Sequence, residues 1–322
     1  MTYGLDILRI DAEREVDRLA RFIVDETAAL RRSGVIVGLS GGIDSAVMAA
    51  LAVFALGPEK VVGLILPERE SNPVSSEFAV RHAQAMGIEH HVRDITATVD
   101  RVRPYAARDA YLQSLVPEYL PGCAYNISLP TDLLEREAFS IYMLQVRLPD
   151  GTIRKKRLGM EAFRTITAFA NIKIRARMLN LYAEADRRSL VVGGTTNRTE
   201  YLLGDFCRYG DGGTDIEPLA HLYKNQVYQI AHHLGVTREI IERVPSPDTF
   251  SLPVSDQEFF FRIPFERLDH LLYAWEHRIP ASETAAALGL GEDAVQRAFQ
   301  DFTTKHRATA HLRQLPRDLQ RP

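Results

Sequence analysis

A glycine- and serine-rich segment, residues 35–46, carries the side chains with the clearest chemical potential. It reads VIVGLSGGIDSA, in which an apolar β-branched run predicts a buried strand and an alanine-rich stretch predicts a helix. Two glycines let the backbone approach an anion closely, and the free N–H groups of the following helix point at that anion. Asp44 would repel a bare phosphate, so its presence predicts a bridging cation, most simply Mg²⁺. The segment therefore predicts a phosphate-binding loop with its own metal ligand.

No lysine follows the glycines, so the loop is not of the G-x-x-x-x-G-K-[ST] type. It resembles the SGGxDS loop of the N-type ATP pyrophosphatases, enzymes that split ATP between its α- and β-phosphates. A Gly-Gly turn with Ser and Asp at a helix start is also a common structural cap, but the full string between strand and helix favours nucleotide binding. The resemblance implies that ATP contacts Gly38, Leu39, Ser40, Gly41, Gly42, Ile43, Asp44 and Ser45.

The elements around this loop alternate between strand and helix. Apolar residues at helical spacing predict a first helix over residues 16–30, with Gly34 placed to end it. Strands are predicted over residues 35–39, 61–66, 88–95 and 190–194, and helices over 46–56, 75–86, 161–185 and 222–234. This order predicts an α/β fold with a doubly wound parallel sheet, whose ligands lie beyond the carboxyl ends of the strands.

Residues 104–160 interrupt the alternation and are predicted to be an inserted, irregular segment. Within it, FSIYMLQVRL, a PDG turn and TIRKKRL predict a β-hairpin. The basic run of residues 154–157 is typical of a solvated edge strand, with an anionic substrate or partner as the alternative. Residues 264–322 are predicted to form a helical tail. We expect a single domain over residues 1–322, with no glutaminase domain.

Four further segments follow the first loop in order. They read NIKIRARM (171–178), LVVGGTTNRTE (190–200), RYGDGGTDIEPLAHLYKNQV (208–227) and PSPD (245–248). Together the five segments resemble ammonia-dependent NAD synthetase, which adenylates the carboxylate of deamido-NAD and aminates it to NAD. The resemblance implies ATP and Mg²⁺, deamido-NAD and ammonia as substrates, release of pyrophosphate and AMP, and a homodimer.

The resemblance also implies a role for each matching residue. Asp44 and Glu200 would hold Mg²⁺, and Lys224 would join Asp44 in catalysis by meeting the ATP phosphates. Thr195 and Ser246 would contact ATP. The deamido-NAD side would consist of Asn171, Arg175, Arg208, Asp211, Asp215, His306 and Arg307. Without the resemblance, a helix arginine is ordinarily exposed or salt-bridged, and an aspartate in a glycine-rich loop is ordinarily a turn former.

Two segments depart from the family pattern. Residues 104–160 are longer than in short members, which suggests a lid, a dimer surface or a docking site for an ammonia donor such as a separate glutaminase subunit. The segment 247–262 reads PDTFSLPVSDQEFFFR and lacks the usual acidic pair, although its three phenylalanines are predicted to pack. An amide ligase of the same scaffold acting on another carboxylic acid is therefore the main alternative.

Composition argues against several other classes of protein. The 322 residues carry a net charge of −3, which favours neither nucleic acid nor an anionic membrane. The tail segment 280–302 resembles a DNA-binding helix-turn-helix. Its acidic residues Glu292, Asp293 and Asp301 would repel the phosphates of DNA, which argues against that function. Two cysteines without C-x-x-C spacing and no apolar run of membrane-spanning length predict a cytoplasmic protein.

Overall fold

The computed structural model describes residues 3–103, 105–136 and 141–316. Its strands are β1 Val35–Gly38, β2 Val61–Ile65, β3 Glu89–Val92, β4 Ala124–Ser128, β5 Met143–Arg147, β6 Ile153–Arg157 and β7 Val191–Gly193. Its α-helices are α1 Ala12–Ala29, α2 Ile43–Leu56, α3 Pro73–Ala85, α4 Thr96–Val102, α5 Tyr105–Leu115, α6 Met160–Arg188, α7 Arg198–Leu203, α8 Lys224–His233, α9 Arg238–Ile241, α10 Phe265–Glu276, α11 Ala281–Leu288 and α12 Glu292–Ala308. A π-helical turn, Gln257–Phe261, precedes α10.

The central sheet has four parallel strands in the order β3-β2-β1-β7. Alternate residues of β1 face opposite layers, as a pleated strand requires. Val35 and Val37 pack with α1, α2 and α8, whereas Ile36 packs with α6. Both faces of the sheet are therefore covered by helices, and the prediction of a doubly wound α/β fold is confirmed.

Several predicted boundaries were wrong by a few residues. The first helix ends at Ala29 rather than at Gly34, and Arg31 turns the chain with a φ of 53°. Gly34 is needed for a different reason, because a Cβ there would lie 2.1 Å from the carbonyl oxygen of Lys60. The strand predicted over residues 88–95 is only β3, and the helix after the glycine loop begins at Ile43 rather than at residue 46.

The predicted hairpin is β5 and β6, which pair antiparallel on either side of the PDG turn. Its first residues, Phe139 and Ser140, lie outside the described residues. All five residues of β6 are exposed, as expected for a solvated edge strand. The sequence analysis missed β4, which pairs antiparallel with the other side of β5. The buried face of this second sheet packs against α5 and the first turns of α6.

The C-terminal tail is helical, as predicted. α10, α11 and α12 share a buried cluster that includes Leu268, Leu272 and Phe302 and that continues to Leu203 of α7. Because α7 follows β7 directly, the tail packs against the carboxyl-end side of the central sheet. None of the helices in the described residues is long and apolar enough to cross a membrane.

Candidate active site

The glycine loop lies at the carboxyl end of β1 and leads directly into α2. Gly41 has a φ of +73°, and a Cβ there would lie 2.1 Å from the carbonyl oxygen of Ser75. The hydroxyl of Ser45 donates to the Gly42 carbonyl at 3.0 Å, and the backbone N–H of Ser40 donates to that hydroxyl at 3.2 Å. Gly42 caps α2 without a side chain, so the N–H groups of its first turn are available to an anion.

A buried lysine meets two carboxylates beside this loop. Lys224, the first residue of α8, is 2% exposed. Its Nζ lies 2.5 Å from Asp44 Oδ2 and 3.4 Å from Glu200 Oε1. Asn197 contacts both acids. Its Nδ2 donates to Asp44 Oδ1 at 3.0 Å, and its side chain and backbone form a capping box with Glu200 at the start of α7. Three elements distant in sequence thus converge on one ammonium group.

A hydrogen-bonded chain fixes the start of α8. The backbone N–H of Lys224 donates to Thr199 Oγ1 at 3.1 Å, and that hydroxyl donates to Asp269 Oδ1 at 2.6 Å. Asp269 also accepts the backbone N–H of Asn225 at 2.7 Å. A lysine in the first turn opposes the helix dipole, and the surrounding carboxylates compensate for it.

The electrostatics of this cluster are dominated by burial and by acidic neighbours. Burial alone would lower the pKa of Lys224, but Asp44 and Glu200 raise it well above its ordinary range. Burial and the charge of Asp44 raise the pKa of Glu200. Burial, together with other carboxylates, raises the pKa of Asp205 to about 8 and that of Asp256 to about 6. Carboxyl groups thus outnumber the ammonium group of Lys224 here, and their raised pKa values reflect, besides burial, a mutual repulsion that a bound cation would relieve.

A divalent cation fits this donor set. Mg²⁺ is ordinarily held by one or two carboxylates, with phosphate oxygens and water completing its coordination. Asp44 and Glu200 provide two such carboxylates, and both face the same cavity. No group of three or more acidic, histidine or cysteine side chains arranged to hold a metal occurs in the described parts of the chain. The ion would therefore depend on the nucleotide for its remaining ligands.

One cavity of about 1060 Å³ extends from the glycine loop along α6 to the C-terminal tail. Its walls include most of the residues assigned from the sequence. These are Gly38, Leu39, Ser40, Gly42, Ile43, Asp44, Ser45, Asn171, Arg175, Thr195, Glu200, Arg208, Asp211, Lys224 and Ser246. Gly41 stands just behind this wall, where its carbonyl accepts a hydrogen bond from Arg243. The cavity thus joins the expected ATP residues to the expected deamido-NAD residues.

On the substrate side, polar groups are held by backbone contacts. Arg175 Nε donates to the carbonyl of Arg208 at 3.2 Å, so these two arginines are adjacent. Asp211 accepts the backbone N–H of Cys207 at 2.7 Å, and burial raises its pKa to about 6. Burial also raises the pKa of the Cys207 thiol to about 11, so the thiol that lines the cavity is protonated.

Three residues that the sequence analysis assigned to the deamido-NAD side do not reach the cavity wall. The carboxylate of Asp215 accepts hydrogen bonds from the backbone N–H of Val192 at 2.8 Å and from the hydroxyl of Tyr182 at 2.9 Å. His306 Nδ1 lies 2.7 Å from the carbonyl of Leu202, and Arg307 is exposed. The packing of α12 against α7 and α10 turns the preceding residue, Lys305, towards the cavity instead.

Some cavity residues were missed by the sequence analysis. Arg243 donates to the Gly41 carbonyl at 3.2 Å and to Ser75 Oγ at 2.8 Å, which places a guanidinium against the glycine loop. Asp205, Asp256 and Lys305 also face the cavity. Lys305 could have been suspected, because it precedes His306, which the sequence analysis assigned to the substrate side. Nothing in the sequence distinguishes Asp205 or Asp256 from acidic residues in an ordinary loop.

Residues 246–250, Asp256 and part of the π-helical turn form one wall of the cavity. Phe259 and Phe260 line it, whereas Phe261 is fully buried. Phe261 packs at 5.2 Å against the ring of Phe265, and Phe259 at 5.4 Å against that of Phe250. The packing prediction is confirmed for Phe261, and the other two rings contribute an apolar surface to the site.

Comparison with known proteins identifies the architecture. A family model described as NAD synthase matches residues 15–116 and 137–316. The NH(3)-dependent NAD(+) synthetase of Rhizobium meliloti (strain 1021) is 40% identical over 312 residues, which cover 97% of this chain and 93% of that protein. Two solved structures share the fold. The NMN synthetase of Francisella tularensis has a TM-score of 0.66 at 23% identity and covers 96% of this chain and 98% of its own. The NH3-dependent NAD synthetase of Campylobacter jejuni has a TM-score of 0.62 at 22% identity and covers 96% and 100%.

The parallel sheet, the glycine loop with its carboxylate and the helical tail define the fold of the N-type ATP pyrophosphatases. Within that class, the family model matches most of the chain, and the Rhizobium protein is 40% identical over 97% of it, and these two findings assign the chain to one family. This chain belongs to the NAD synthase family.

Proposed function

We propose that this chain converts deamido-NAD to NAD, using ATP and ammonia and releasing AMP and pyrophosphate. The observation that carries the proposal is the continuity of one cavity from the SGGIDS loop, with Lys224 between Asp44 and Glu200, to Asn171 and Arg175. The Rhizobium relative, 40% identical over nearly all of the chain, bears the name of this activity.

In the first step, a substrate carboxylate oxygen attacks the α-phosphorus of ATP and pyrophosphate leaves. The N–H groups at the start of α2 bind the phosphates, and the Lys224 ammonium stabilises the charge that develops on them. Asp44 and Glu200 would hold Mg²⁺, which neutralises phosphate charge when it is bound. Arg243, against the Gly41 carbonyl, keeps the loop on the first turn of α3.

In the second step, ammonia attacks the acyl carbon of the adenylate, and the acyl–oxygen bond breaks to release AMP. No protein nucleophile is required, because adenylation has already supplied a leaving group. The protonated thiol of Cys207 agrees with this, since a thiol of such high pKa is a poor nucleophile. Asn171, Arg175 and Arg208 orient the deamido-NAD side, so positioning and charge supply the catalysis.

We further propose that the chain acts as a homodimer. An apolar depression of about 490 Å³ lies on the outer side of α4 and α6, and Leu179 and Tyr209 at its edge are 63% and 60% exposed. Arg175 lines both this depression and the active-site cavity. A second copy that covers the depression would bury the apolar side chains and complete the substrate side of the cavity.

We also propose a cytoplasmic location, because two free cysteines without C-x-x-C spacing suit a reducing compartment. Its ammonia would be free or would come from a separate glutaminase subunit. Residues 104–160 offer such a subunit an exposed basic strand, β6, as a contact surface.

The proposal is tested by incubating the purified protein with ATP, Mg²⁺ and ammonium, with and without deamido-NAD. We expect NAD, AMP and pyrophosphate in equal amounts, only when deamido-NAD is present. Formation of AMP with another acid but not with deamido-NAD would instead favour an amide ligase of different specificity. Formation of ADP would contradict the adenylation mechanism.

A further inference from the structure

Lys173 lies in α6 between two cavity residues, Asn171 and Arg175, but its own side chain turns into the protein interior. It is 2% exposed. Its Nζ donates to Glu68 Oε1 at 2.9 Å, to Glu70 Oε2 at 2.6 Å and to the carbonyl of Thr249 at 3.0 Å. All three donor positions of the ammonium are therefore occupied.

These contacts belong to a larger group of buried charges. Arg108 of α5 is also 2% exposed, and it donates to Glu70 Oε2 at 2.6 Å and to Asp109 Oδ1 at 2.6 Å. We call Glu68, Glu70, Arg108, Asp109 and Lys173 the Lys173 network. It joins the segment after β2 to α5, to α6 and to the segment that contains Thr249. Apolar side chains usually fill such a position with equal or better stability, so the network is better explained by the geometry that it fixes.

Thr249 and the neighbouring Phe250 line the active-site cavity. The same segment is held from its other side by β4. The backbone N–H of Leu252 donates to the carbonyl of Tyr125 at 2.9 Å, and Asn126 Nδ2 donates to the carbonyl of Pro253 at 3.0 Å. The segment 249–253, whose Thr249 and Phe250 line the cavity, is therefore fixed to the second sheet on one side and to Lys173 on the other.

We propose that Lys173 is a positioning residue for the acid substrate. It fixes the turn of α6 that presents Asn171 and Arg175 relative to the wall formed by Thr249 and Phe250. Among the described residues, no hydrogen bond or ion pair joins the glycine loop or Lys224 to the Lys173 network. We therefore expect the affinity for ATP to change much less than the affinity for the acid substrate when Lys173 is replaced. This inference rests on the proposed function, because it assigns the α6 side of the cavity to deamido-NAD.

The test compares Lys173→Met with Glu68→Gln in steady-state assays. Lys173→Met removes the bond to the Thr249 carbonyl, whereas Glu68→Gln removes a buried charge of the same network and leaves that bond in place. We expect Lys173→Met to raise the KM for deamido-NAD about tenfold or more, with the KM for ATP within about twofold of wild type. Glu68→Gln is expected to leave both KM values within about twofold.

A purely structural role would give a different pattern, since partial unfolding lowers kcat and leaves both KM values unchanged. That pattern in Lys173→Met, or an equal rise in KM for Glu68→Gln, would overturn the proposal. If Lys173→Met does not fold, the double variant Glu68→Gln/Lys173→Met, which keeps the net charge of the network, carries the same expectation.

Hydrogen exchange separates this inference from the proposed function, because it needs no substrate. We expect the amides of residues 249–252 to exchange faster in Lys173→Met than in wild type, and at the wild-type rate in Glu68→Gln. Unchanged exchange in Lys173→Met would refute the positioning role. Failure of wild type to use deamido-NAD, with the exchange result as expected, would refute only the assignment of the substrate.

Discussion

Lys224 stands between Asp44 and Glu200, at the point where the first turn of α8 meets the glycine loop. A lysine in a first helical turn is unfavourable by itself, and here two acids and a chain through Thr199 and Asp269 hold it in place. The same acids would hold Mg²⁺ against the nucleotide. One small group of side chains therefore determines both the charge and the geometry of the adenylation step.

We expect Asp44→Asn and Glu200→Gln each to lower kcat roughly 100-fold or more, because each removes a carboxylate that would hold the metal ion. The measurement is turnover with saturating substrates, combined with circular dichroism to confirm folding. Asp150→Asn, in the exposed PDG turn, is the matched control and should retain wild-type turnover. Wild-type activity in both Asp44→Asn and Glu200→Gln would dismiss the metal assignment.

At the scale of elements, the short helix α7 positions two side chains beside Lys224 and Asp44, namely Glu200 within the helix and Asn197 at its cap. Asn197 caps it, and the same side chain donates to Asp44 Oδ1, so the helix start and the proposed catalytic carboxylate share one amide. Asp11 caps α1 in a similar way by accepting the N–H of Arg14, but it lies far along the chain from any cavity residue.

Asn197→Ala should lower the free energy of unfolding by about 1 kcal/mol through the lost cap, and it should also lower kcat. Asp11→Ala should lower the free energy of unfolding by a similar amount, about 1 kcal/mol, without changing kcat. Denaturant unfolding and steady-state turnover of the two variants measure both effects. Equal kcat values for the two variants would show that Asn197 acts only as a cap.

Elements with local patterns were predictable from the sequence, and those defined by distant partners were not. The β-branched runs of β1 and β2 and the glycine loop can each be recognised from a few consecutive residues. By contrast, AYNIS of β4 is mixed in polarity and forms a strand only because β5 pairs with it. The Lys173–Glu68 contact joins residues 105 positions apart. In α12, packing against α7 and α10 decides that Lys305 and not His306 faces the cavity.

At the scale of the whole molecule, the apolar depression beside α4 and α6 is the surface that the proposed dimer would bury. We expect Leu179→Glu to give a monomer in light scattering and to raise the KM for deamido-NAD, because a charge would have to be buried in the interface. Phe54→Glu is the matched control, since Phe54 is 56% exposed on α2, away from the depression. A wild-type monomer, or dissociation by Phe54→Glu alone, would contradict this interface.

The most direct test of the adenylation mechanism follows one oxygen atom. Deamido-NAD with heavy oxygen in the nicotinate carboxylate is converted by the wild-type enzyme, and the products are analysed by mass spectrometry. Attack of the carboxylate on the α-phosphorus, at the glycine loop where Lys224 contacts Asp44, predicts one labelled oxygen in AMP and none in pyrophosphate. Label in pyrophosphate, or unlabelled AMP, would contradict the account.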